Sequence, residues 1–158
     1  LRLMRERRKP TARTPLIGTW PDENAWVRMR AIDSVEKVCR SHPDWLKPFV
    51  GRLLGDLATS TQPSIQWHLA QMYVELEFDD DQVDRAISWL QARLATPDVD
   101  WIVAANAMAA LAELTRRGHA SPTDLLPLLQ TQRRHRSSSV VKRADKLIAA
   151  FSGDQPER

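Results

Sequence analysis

The stretch VRMRAIDSVEKV, residues 27–38, sets a frame that returns three times further along the chain. Ala31 is followed by apolar Val35 and Val38, Ala70 by Tyr73, Val74 and an offset Leu76, Ala107 by Ala110, Leu111 and Leu114, and Ala144 by Leu147, Ile148 and Phe151. Such spacing places the small residue and its apolar followers on one helical face. The anchoring alanines lie 39, 37 and 37 residues apart, and between them Leu53, Leu90 and Leu128 recur at 37 and 38. A period of that length holds two helices. A helical hairpin cannot bury its apolar face alone, so copies are expected to stack on one another.

Capping and breaking residues divide the rest of the chain at matching intervals. The breaks SHPD, TSTQPS, FDDD, TPDVD, RRGHASPT and HRSSS supply Ser, Thr or Asp as N-caps, or Pro for a first turn. They predict helices over about 23–41, 43–58, 63–78, 80–95, 98–117, 121–134 and 137–151. Five glycines and one tyrosine in 158 residues, among many Leu and Ala, favour helix over strand. A composition of 42% hydrophobic and 27% charged residues is that of a globular chain, with length for about one domain. The expected organisation is a basic arm over 1–19, a helical repeat domain over 20–152 and a tail over 153–158.

With its Val-Arg pair, small alanine and following apolar positions, the fragment 27–38 resembles the first helix of a HEAT or armadillo-like repeat. The resemblance covers about residues 23–151, roughly three and a half repeats. It departs at the second unit, where Gln66 stands in the place of Val27, Val103 and Val140, and Glu77 in the place of an apolar residue. What it implies is an all-α, right-handed superhelix, an α-α solenoid whose second helices line a concave binding surface. It implies no reaction and no cofactor, because such repeats serve many partners.

On the second helix of the second unit, Val83, Ala86, Ile87, Leu90 and Leu94 form an apolar stripe, flanked by Arg85, Trp89 and Arg93 at i, i+4 and i+8. Arg52 stands one period before Trp89. Two readings of these four residues are open. They form a concave binding patch, since Trp and Arg dominate interaction hot spots, or Trp89 packs on a neighbouring helix and the arginines snorkel from it. Trp26, Trp45, Trp67 and Trp101 fall near helix starts and are expected to pack at seams between units. Gly51 and Gly55 make a small-residue face, read as a close helix approach or as a groove for a partner's side chain.

The net charge of +3 is unevenly placed. Residues 1–13 carry six basic groups and one acidic, 14–132 carry ten and sixteen, and 133–158 carry seven and three. The body is therefore acidic between basic ends. At the C-terminal end Arg133, Arg134, Arg136, Lys142, Arg143 and Lys146 form either a solvated face or an edge that contacts phosphates. The acidic run from Glu75 to Asp84 lacks calcium-loop spacing, and its aspartates are read as caps for the next helix.

No nucleophile elbow, P-loop, dinucleotide fingerprint or H-E-x-x-H motif occurs. The four histidines lack ligand spacing, and neither metal nor cofactor is expected. The one cysteine, Cys39, is read as a core residue and fits a reducing, cytoplasmic setting. No apolar run is long enough to span a bilayer. The expected function is a non-catalytic scaffold or adaptor that binds a protein partner. The alternative is a nucleic-acid binder, related to DNA repair, that uses its basic termini. An alkylation-repair glycosylase, the enzymatic cousin class with HEAT-like repeats, carries a Trp and an Asp together on a helix. No Trp here is followed by Asp four residues on.

Overall fold

A computed structural model describes residues 22–153. The expected arm and tail fall mostly outside that range. Seven α-helices form, α1 Ala25–Ser41, α2 Val50–Leu53, α3 Pro63–Glu75, α4 Asp80–Leu94, α5 Trp101–Arg116, α6 Pro122–Gln132 and α7 Ser138–Ser152. No strand occurs among the described residues. No described helix is long and apolar enough to cross a membrane.

The expected break residues act as caps. Asn24 Oδ1 accepts from the Trp26 amide at 2.9 Å, and Asp100 Oδ1 from that of Ile102 at 2.9 Å. Asp79 and Gln82 exchange both bonds of a capping box at the start of α4, so the acidic run caps a helix as expected. Helix α5 stops at Gly118, whose φ of +82° suits glycine, and the His119 amide turns back onto the Leu114 carbonyl at 2.9 Å.

The odd-numbered helices pack in chain order, α1 on α3, α3 on α5 and α5 on α7, while α4 and α6 pack on each other and on α5. Two layers of helices result, with one core between them. The four anchoring alanines are all buried, at 8% exposure for Ala31 and 0% for Ala70, Ala107 and Ala144.

The predicted helix over 43–58 does not form as one piece. It is a 3₁₀ turn over Pro43–Phe49, the single turn α2, and a second 3₁₀ turn over Leu57–Thr59. Pro48 lacks the amide that a continuing helix needs. The chain's missing ladder bonds are replaced from neighbouring helices. Tyr73 Oη donates to the Leu53 carbonyl at 2.8 Å, Arg85 Nη2 to Leu54 at 3.0 Å and Trp89 Nε1 to Ala58 at 2.9 Å.

The paired glycines in this segment have separate reasons, neither of them a close approach of helices. Nothing lies within 4 Å of where a Cβ would stand on Gly51. On Gly55 that atom would meet the Gly51 carbonyl oxygen at 2.6 Å. Gly51→Ala is therefore expected to stabilise the chain by about 0.5–1 kcal/mol. Gly55→Ala is expected to destabilise it by about 1–3 kcal/mol, because backbone must shift. Chemical denaturation of the two variants would show opposite signs; equal effects would contradict this assignment.

Candidate functional site

Helix α4 presents Arg85, Trp89 and Arg93 along one flank, as its i, i+4, i+8 spacing requires, but the flank faces the Pro43–Thr59 segment. Trp89 is half-buried. Its indole N–H is held by Ala58, and its ring meets Tyr73 edge-on at 5.4 Å between centroids. Arg93 lies 4.8 Å over the same ring. Arg85 donates to Leu54, and Arg52 pairs with Asp56 at 3.3 Å. Arg93 and Trp89 thus do meet, but Trp89 and Arg85 work as clamps on a segment with few backbone bonds of its own. These bonds favour the packing reading of both over the binding one.

The tryptophans at the helix starts differ from expectation. Trp26 is 65% and Trp101 53% exposed, so neither closes a seam. Each occupies the first turn of its helix on the solvent side, and Arg30 lies 5.7 Å over the Trp26 ring. Trp67 stacks on the buried His68 at 3.5 Å, and Trp45 on His42 at 4.0 Å. His68 Nδ1 donates to the Ser64 carbonyl, while its Nε2 is buried without a hydrogen bond, 3.6 Å from Asp33 Oδ1. Lys37 binds the same carboxylate at 2.8 Å and holds Asp33 below the usual carboxylate pKa.

Two clefts open on the face made by the odd-numbered helices; the sequence pointed to the basic residues of one, Lys142, Arg143 and Lys146, and not to the other. The first, of about 370 Å³, is lined by Glu36, Arg40, Gln71, Glu75, Asn106 and Glu113, among others. The second, of about 520 Å³, lies between α5 and α7 and is lined by Arg116, Ser139, Lys142, Arg143 and Lys146 together with Glu113. Ala109 and Glu113 belong to both. The clefts adjoin there, acidic on one side and basic on the other. Glu36, Glu75 and Glu113 sit 39 and 38 residues apart; Glu36 is buried and paired with Arg40, Glu113 is paired with Arg117, and Glu75 is exposed.

Of the six basic residues expected to make a phosphate-contacting edge, the structure gathers Lys142, Arg143 and Lys146 into the second cleft. Arg133 is instead bound to Asp145 at 2.7 Å. Arg134 and Arg136 are exposed in the turn between α6 and α7. Beside them His135 is buried. Its Nε2 donates to the Val99 carbonyl at 2.8 Å, and its Nδ1 accepts from the Ser137 amide at 2.9 Å.

Cys39 is fully buried. Burial, and then the carboxylates of Glu75 and Glu36, push its thiol pKa up to about 12. The native thiol is expected to resist alkylation at pH 8 and to react once the chain unfolds. Fast labelling of the folded protein would contradict its place in the core. Because the folded pKa is raised above the ordinary value, the thiol favours the fold fully below about pH 9, and that contribution fades between pH 9 and 12.

Comparison with protein-family models, curated proteins and solved structures finds no match to this chain.

Proposed function

We propose that this chain is a non-catalytic binding scaffold, a short solenoid of HEAT-like helical hairpins that engages a protein partner in the cytoplasm. The observation that carries the reading is the trough formed by the two adjoining clefts. It crosses α1, α3, α5 and α7, and three of its lining residues, Glu36, Glu75 and Glu113, recur at 39 and 38 residues. A surface built by repetition suits an elongated ligand better than a compact substrate. The Arg52, Arg85, Trp89 and Arg93 patch remains a secondary surface, reduced to Arg93 and the open face of Trp89 by the clamps on Leu54 and Ala58.

One observation favours the nucleic-acid reading. Among the described residues Lys142, Arg143 and Lys146 form no ion pair, so phosphates have three unpaired cations to meet. Affinity capture by the full chain from its native cell extract, with and without nuclease, separates the two readings. A protein retained after nuclease treatment is the expected result. Retention that vanishes with nuclease, together with mobility shifts of DNA or RNA that weaken steeply with salt, would overturn the scaffold in favour of nucleic acid.

A further inference from the structure

The trough has two signs of charge, and that polarity narrows what it can hold. In the α5–α7 cleft the carboxylates nearest the cations in sequence and lining are engaged elsewhere. Asp145 binds Arg133 at 2.7 Å, and Glu113 binds Arg117 at 2.8 Å. Among the described residues Lys142, Arg143 and Lys146 are left without ion-pair partners. In the neighbouring cleft Arg40 binds the buried Glu36 at 2.6 Å, while the exposed Glu75 has no ion pair among the described residues.

The floor of the trough adds two features. Between Asn106 and Glu113, helix α5 contributes only the methyl groups of Ala109, Ala110 and Ala112 to the lining, which lets a backbone lie close there. Gln71 has an unmet acceptor. Asn106 Nδ2 donates to the Ile102 carbonyl at 2.8 Å, which turns Asn106 Oδ1 toward Gln71 Nε2 at 3.0 Å. Gln71 Oε1 is then shielded from solvent with no donor. An ammonium group or a backbone N–H of a ligand would satisfy it.

We infer that the trough docks an extended protein segment with two charge blocks, acidic where it crosses α5 and α7 and basic where it crosses α1, α3 and α5. The inference rests on the scaffold reading and names its partner's chemistry. A polynucleotide or a uniformly acidic segment would press like charge onto the exposed Glu75, which costs affinity and selects against it. Packed helices stand about 8–10 Å apart, and an extended chain advances about 3.3 Å per residue. A side chain of the segment therefore reaches successive helices at about every third position, and about eight residues span the four helices.

Synthetic fluorescent peptides of about 12 residues test this with the full chain. One pair carries an Asp block joined to Lys at every third position, written in both chain directions. A third has the same composition with charges mixed, and an oligothymidylate of similar length is the nucleic-acid probe. One of the two block peptides is expected to bind at least about tenfold tighter than both controls by fluorescence anisotropy. Lys142→Glu combined with Lys146→Glu, and separately Glu75→Lys, are each expected to weaken it about tenfold. These side chains are exposed, and circular dichroism verifies that the variants keep their helices.

Equal binding of the mixed peptide or of the oligothymidylate would overturn the inference, as would variants with unchanged affinity. A nuclease-resistant protein partner captured from extract while every peptide fails would sink this inference and leave the scaffold standing. Loss of that partner while the block peptide binds would do the reverse.

Discussion

Leu111→Ala is expected to destabilise the chain by about 2–5 kcal/mol, the range for truncating a buried leucine that leaves a cavity. Leu111 is fully buried in α5, the helix that packs against α3, α4, α6 and α7. A hole there is lined by side chains from several elements, each fixed by its own packing, so collapse around it is limited. Leu147 on α7 is only half-buried at the margin of the core. The same truncation at Leu147 is expected to cost under about 2 kcal/mol. Urea denaturation of both variants measures the contrast. A cost below about 1 kcal/mol at Leu111 would mean that α5 does not sit at the centre of a shared core.

Gln132→Met is expected to cost about 2 kcal/mol, though it preserves side-chain length and adds apolar surface. Gln132 is 0% exposed at the end of α6. Its Nε2 donates to the Leu94 and Thr96 carbonyls, each at 2.9 Å. Those carbonyls belong to the end of α4 and the turn after it, where the helix leaves acceptors without intrahelical donors. Methionine removes the donor and leaves the buried Leu94 carbonyl bare. The melting temperature should fall by about 4–8 °C. No change would show that water replaces the amide, and that the turn is open to solvent.

The all-helical fold was legible because its determinants are local. Asp79, Asp100 and Ser121 cap the helices that follow them, and the alanine frame with its apolar followers marks the buried face. The segment after His42 was less legible, since its apolar pattern is helical while Pro48 and Gly55 oppose a continuous ladder. Pattern is summed over many residues, whereas one missing amide acts at a point.

The site was legible only in part. The stacking of Arg93 on Trp89 follows from i, i+4 geometry within one helix. That Trp89 and Arg85 end on the carbonyls of Ala58 and Leu54 depends on a contact 31 residues away, which spacing alone does not report. The clefts themselves were missed for a related reason. They need residues from three or four helices at once, although the recurrence of Glu36, Glu75 and Glu113 at nearly one repeat period was a signal in plain view. Aromatic size alone suggests burial, yet Trp26 and Trp101 are exposed. A tryptophan in the first turn of a helix is free to point outward.

The three side chains that reach back to hold Leu53, Leu54 and Ala58 make the second unit a guardian of the first. Repeat chains are commonly pictured as beads that evolution can delete, duplicate or shuffle at will. Here excising α3 and α4 would strip three carbonyls of their donors, so the segment before these helices depends on the helices that follow it.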